Sequence, residues 1–225
     1  MNPLHACGNK SMKTLAVFSQ KGGSGKSTIA IHLAVLASQH GRVLLVDADP
    51  QGTTVAWGAT RRSATPLVVR ADPSSLPEIL RDAQEEGFEL VVLDCPPHAV
   101  AGTTSLLRQA SHIVVPVQPT MPDIVATHRT IALAKASGRA YSFVINRAPA
   151  RAAEVPQAYE ALAPVGPVCP FMLGDRRAFA RALTDGLAVN EFGRPNGKPA
   201  IEVHNVHQWL SSRLSENDTC PRPVA

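Results

Sequence analysis

"TLAVFSQKGGSGKST", residues 14–28, decides how this chain is read. A short apolar run, "TLAVF", leads into a glycine-rich loop. Ser27 then opens a stretch in which Ile29, Leu33 and Leu36 share one helical stripe. Strand, loop and helix in that order are the setting of a phosphate loop, where backbone N–H groups and a helix N-terminus hold phosphate oxygens. The usual pattern is G-x-x-x-x-G-K-[ST]. Gly25, Lys26 and Ser27 fit its end, but Gln20 stands where its first glycine should be, followed by Lys21, Gly22 and Gly23. Lys26 is placed to reach the β- and γ-phosphates, and Ser27 to ligate Mg²⁺. Gly22, Gly23 and Gly25 permit close backbone approach, and Ser24 and Thr28 complete the cradle.

Outward from that loop, apolar runs recur at "RVLLVDA" (42–48), "LVVLD" (90–94), "HIVVPV" (112–117) and "YSFVIN" (141–146). They are short, β-branched and non-alternating, as strands buried on both faces are. Helical patterns lie between them, at 27–40 with Gly41 as its stop, and at 76–86 and 122–137 with Pro77 and Pro122 near their starts. Strands alternating with helices predict a doubly wound α/β fold with a mostly parallel sheet. A single domain is expected over 12–214, with flexible tails at 1–11 and 215–225. Two carboxylate elements belong with the loop. Asp47 and Asp49 end one apolar run, where side chains of this fold class point into the ligand crevice. Asp94 follows four apolar residues, the form of a Walker B strand whose aspartate supports Mg²⁺.

Together, "KGGSGKST", "VDADPQGT", "LDCPP" and "VVPVQPTMPD" (114–123) resemble the ParA/MinD family of P-loop ATPases with a deviant Walker A motif, in particular its small plasmid-partition members. The resemblance spans about Met12 to Leu214. It implies an ATP/ADP-binding, Mg²⁺-dependent ATPase that hydrolyses ATP weakly, forms a homodimer on ATP, and is stimulated by a ParB- or ParG-like centromere-binding protein. Lys21 would contact the nucleotide of the partner subunit, as an arginine finger does. The resemblance also makes Asp49 the residue that positions the attacking water, puts Asp47 near Mg²⁺, and has Asn146 recognise adenine; a strand-end cap is the other reading of Asn146.

In "GDRRAFARALTDG" (174–186), Asp175 is expected to cap a helix that stops at Gly186. Arg177 and Arg181 then share one stripe opposite Phe179 and Leu183, and with Arg176 they form a candidate contact for DNA phosphates. Further arginines stand at 61–62, 147 and 151. Family members of the ParA kind bind DNA without sequence preference. A membrane role is disfavoured, because "IEVHNVHQWLSSRL" has only Arg213 as a firm cation, so Trp209 is expected to pack on the domain.

The 225 residues are 44% hydrophobic and carry a net charge of +4, which fits a globular, mildly basic domain. No apolar run approaches the ~20 residues of a membrane span. The start of the sequence lacks the apolar stretch of a secretory signal. Cys7, Cys95, Cys169 and Cys220 are scattered, which fits a reducing cytoplasm and argues against a metal cluster. The expectation is a cytoplasmic DNA-segregation ATPase, associated with the nucleoid when bound to ATP. The alternatives are a related ATPase that positions another cargo (chemoreceptors, a microcompartment, a secretion or cellulose complex) and a nucleotide-regulated binding module without turnover.

Overall fold

The structure is a computed structural model, and it describes residues 11–97, 102–194 and 196–219. Cys7, Cys220 and nearly all of the expected N-terminal tail lie outside the described residues.

Six parallel strands form the sheet: β1 (Lys13–Val17), β2 (Val43–Asp47), β3 (Leu67–Arg70), β4 (Leu90–Asp94), β5 (His112–Val117) and β6 (Tyr141–Ile145). Their order is β3-β2-β4-β1-β5-β6, with every pair parallel. β1 is central, and the chain moves to opposite sides of it through β4 and β5, which opens a crevice at the carboxyl end of β1.

Eight helices flank the sheet among the described residues: α1 (Lys26–Ala37), α2 (Thr53–Thr60), α3 (Leu76–Glu85), α4 (Thr103–Arg108), α5 (Met121–Ala136), α6 (Glu154–Leu162), α7 (Arg177–Thr184) and α8 (Lys198–Thr219). Alternate strand residues feed two cores. Leu15, Val17, Leu45 and Val92 pack with α1, Trp57 of α2, Phe179 of α7 and the apolar face of α8. Ala16, Phe18, Leu44 and Leu93 pack with Leu80, Leu107, Ile131 and Leu162 on the other face. A side-chain period of two places successive residues on opposite faces, so both faces of a covered sheet must be apolar. The non-alternating runs of the sequence follow from this.

Some local expectations are corrected. Helix α1 ends at Ala37 with Ser38 as its cap, and Gly41 is not among the glycines with positive φ. Helix α7 has Arg176, not Asp175, at its N-cap, and the Asp175 carboxylate lies 3.9 Å from Arg147 instead. Its stop does fall at Gly186, whose φ of +70° only glycine adopts freely. Helix α8 continues through Ser215–Thr219, where a loose tail is expected from the polar sequence. Trp209 is half-buried against the α1-side core, under the Arg213 guanidinium. Ile201, by contrast, is exposed.

After α6, an extended segment runs along β6: the Phe143 N–H donates to Pro167 O, the Cys169 N–H to Phe143 O, and the Leu173 N–H to Ile145 O, each at 2.8–2.9 Å. Pro167 and Pro170 lack an N–H, which prevents a regular ladder there. This segment delivers Gly174–Arg176 to the crevice.

Candidate functional site

A cleft of about 610 Å³ lies at the carboxyl end of β1. Its floor is the glycine-rich loop, with Gly22, Gly23, Gly25, Lys26, Ser27 and Thr28 all lining it. Gly25 is the N-cap of α1 at φ +93°, and no side chain caps the helix there. The first-turn N–H groups of α1 are therefore left to an external acceptor. A Cβ on Gly25 would also collide with the Asn146 amide, so glycine is required at this position for space as well as for φ.

Lys26 is buried, and its ammonium donates to Lys21 O at 3.4 Å. Burial lowers its pKa, while Asp94 and Asp49 act in the opposite direction. A desolvated cation next to two carboxylates is suited to neutralising phosphate charge.

Asp47 and Asp94 are register partners at the ends of β2 and β4, and both are fully buried. They have different surroundings. Asp47 accepts the Asp49 N–H on Oδ1 at 3.1 Å and the Val55 N–H on Oδ2 at 2.9 Å. Each of its oxygens thus holds a backbone N–H of the loop that carries Asp49, which makes Asp47 a positioning residue for that loop and leaves each oxygen a further lone pair. Asp94 accepts the Thr54 hydroxyl on Oδ2 at 2.7 Å, and its Oδ1 is buried with no hydrogen-bond partner. Burial raises the Asp94 pKa to about 6, against the Thr54 and Ser27 hydroxyls. A buried carboxylate oxygen without a partner, beside the Ser27 hydroxyl, is the donor set a hard divalent cation takes. Ser27 and Asp94 fit Mg²⁺, and Asp47, the register partner of Asp94, lies beside them. Asp49, 8% exposed, lines the cleft and accepts the Gln51 N–H on Oδ1.

Lys21 is exposed on the outer rim of the loop, and its ammonium lies 3.6 Å from Asp123 Oδ1. Asp123 is buried, and its Oδ2 has no hydrogen-bond partner. It belongs to the first turn of α5, which Thr120 caps. The Gln118 amide donates to Gly23 O, and the Gln20 N–H donates to Thr130 Oγ1, so the turn after β5 and α5 itself both brace the loop. Asn146 sits just past β6, and its amide donates to Ser24 O at 2.7 Å. It too steadies the loop while lining the cleft.

The arginines separate. Arg176 is gripped by Glu202 of α8, with Nε and one terminal nitrogen 3.0 and 2.5 Å from Oε1. Arg61 makes a two-pronged pair with Glu191. Both are structural ties. Arg177 and Arg181 are exposed on α7, Arg181 lying over the Phe192 ring.

Several site residues escape the sequence reading. Thr54 follows one quoted motif and Asp123 ends another, but only their partners across the fold, Asp94 and Lys21, give them a role. Phe179, Ala180 and Leu183 line the cleft from a helix whose sequence signals only amphipathicity.

The family described as the CobQ/CobB/MinD/ParA nucleotide binding domain matches residues 15–189. The chain belongs to this family. It is a P-loop protein of the ParA/MinD type. Among its relatives, the carboxysome distribution protein A of Halothiobacillus neapolitanus is 31% identical, covering 86% of this chain and 94% of that one. The protein of the same name from Gloeobacter kilaueensis is 32% identical over 91% and 95%. The chromosome-partitioning ATPase Soj of Thermus thermophilus is 36% identical, over 48% of this chain and 55% of its own. An ATP complex of a Cyanothece McdA variant superposes with a TM-score of 0.74 at 18% identity, covering 96% of this chain and 100% of that one. At that identity the likeness speaks for the fold alone. No helix among the described residues is long and apolar enough to cross a membrane.

Proposed function

We propose that this chain is an ATP-hydrolysing switch that positions a macromolecular cargo of the microcompartment class, using DNA as its sequence-independent support. The single observation that carries the cargo reading is the extent of likeness. Both carboxysome-distribution relatives are matched over more than nine-tenths of their own length, whereas the partition ATPase Soj is matched over about half. Segregation of a plasmid or chromosome through a ParB- or ParG-like protein becomes the second reading. It is favoured by the local identity to Soj and to the partitioning protein ParA of Caulobacter vibrioides.

The chemistry proposed for the cleft follows its geometry. Backbone N–H groups at the start of α1 and the Lys26 ammonium would hold the β- and γ-phosphates of ATP. Ser27 and Asp94 would hold Mg²⁺, which when bound neutralises charge developing on the phosphates. Asp47 fixes the backbone of the 48–55 loop, and that loop presents Asp49 to orient water in line with the γ-phosphate. Lys21 points away from its own cleft. Two chains facing each other would exchange these lysines, each leaving Asp123 for the partner's nucleotide, so that ATP joins the pair and hydrolysis loosens it.

Two measurements test this reading. The product of the neighbouring gene should be captured by the chain with ATP and not with ADP, and should raise ATP turnover. If it is captured equally in both states without effect on turnover, the chain is a binding module instead.

A further inference from the structure

We propose that the open edge of β3, with the groove between β3 and α2, docks an extended acidic segment of a partner protein by strand addition. The site lies outside the nucleotide cleft and does not depend on the nucleotide reading.

The two ends of the sheet are finished differently. At β6, the 167–174 segment takes up outward backbone groups of Phe143 and Ile145. β3 is the last strand at the other end. There the Ala71 N–H donates to Asp47 O of β2 at 3.0 Å. The backbone groups of a parallel strand turn alternately to its two sides. Leu67, Val69 and Ala71 therefore bond toward β2, and the N–H and C=O groups of Val68 and Arg70 face outward. Among the described residues nothing pairs with them. An unpaired strand edge is a template for another extended chain.

The surface beside the edge sets the chemistry of that chain. A groove of about 390 Å³ opens there, lined by Val55, Gly58 and Ala59 of α2 and by Ala64, Pro66 and Val68. Leu67 is 46% exposed at its rim. An apolar side chain of the incoming strand is thus accommodated at the centre. Cations stand before and after this apolar stretch. Arg62 is exposed and, among the described residues, has no ion pair. Arg70 is exposed and donates to the Pro50 carbonyl at 3.0 Å. Arg61 is already neutralised by Glu191. No carboxylate lines the groove, and Asp72 stands two residues beyond Arg70. A segment with an apolar centre and acidic ends complements this arrangement.

The test is residue-resolved amide exchange of the full chain with three capped peptides at millimolar concentration. They are Glu-Glu-Val-Thr-Val-Glu-Glu, its counterpart with Lys for Glu, and the acidic peptide with an N-methylated backbone. The acidic peptide should slow exchange at Val68 and Arg70 about tenfold or more, and the other two should not. Arg62→Glu and Leu67→Asp should each weaken its binding about tenfold while ADP affinity stays at the parent value. Neither residue lines the nucleotide cleft or belongs to the two cores. Exchange at Val68 and Arg70 unchanged by the acidic peptide, or equal protection by the basic or N-methylated one, overturns the proposal. Protection that grows with chain concentration in the absence of peptide also overturns it, because a second copy is then the occupant. ADP binding is scored separately, so failure of strand addition leaves the nucleotide reading in place.

Discussion

At the residue scale, the cleft depends on charges whose roles are set by what already satisfies them. Lys26 has one weak backbone acceptor and two carboxylates near it, so its charge is available to phosphate. Lys26→Ala should lower ATP affinity by about two orders of magnitude, since charge-assisted phosphate contacts in a desolvated site are strong. Fluorescent-nucleotide titration checks this, and parent-like affinity would contradict it. Asp49→Ala should keep ATP binding and lose turnover, by about 10²-fold or more, because the residue is assigned to water and not to ground-state affinity. A phosphate-release assay at saturating ATP decides; unchanged turnover means that Asp49 has another role. The sequence makes Lys26, Ser27, Asp49 and Asp94 legible because each stands at a fixed offset from a strand end or glycine loop. It does not separate Asp47 from Asp94. Both end a buried strand, and only the fold shows that Asp47 accepts backbone N–H groups across a tight loop while Asp94 keeps a buried oxygen without a partner.

At the scale of elements, the strands at 90–94 and 112–117 are readable to the residue because buried parallel strands leave a plain apolar run. β3 is not, since it is an edge strand with no fully buried residue, and its "LVVR" resembles any short apolar patch. The segment after Gly166 escapes for another reason: its prolines break the ladder that would mark a strand. The arginine stripe of α7 is legible from its 3.6-residue period, but the capture of Arg176 by Glu202 is a contact across the fold. Two exposed cations per chain bind a polyanion weakly, and a pair of chains doubles the contacts. Arg177→Glu with Arg181→Glu should therefore abolish a mobility shift of unrelated DNA duplexes at low salt, where the parent shifts them with ATP and not with ADP. The parent's binding should fall steeply as salt rises, through counterion release. If the double variant binds like the parent, the stripe is only a solvated face.

For the whole molecule, the two cores bury titratable groups whose charged forms cost the fold. His32 and His112 are 1% and 3% exposed, and burial holds each near a pKa of about 4. Between pH 6.5 and 4 the unfolded chain takes up protons at both that the folded chain does not, so stability is full above that window and falls as pH drops through it. His207 is likewise held at a pKa of about 4 by burial, while Asp94, raised to about 6, acts oppositely over roughly pH 4–6, leaving a net uptake of about two protons on unfolding near pH 5. Urea unfolding should thus show about 3–4 kcal/mol less stability at pH 5 than at pH 7, and equal stabilities would contradict the buried neutral histidines. The central claim is that ATP joins two copies of this chain through Lys21. Light scattering of the parent and of Lys21→Ala, each with a slowly hydrolysed ATP analogue and with ADP, tests it most directly. The parent should have twice the monomer mass with the analogue and the monomer mass with ADP, while Lys21→Ala should bind the analogue and stay monomeric. A parent that remains monomeric with the analogue, or a Lys21→Ala variant that dimerises as the parent does, would contradict it.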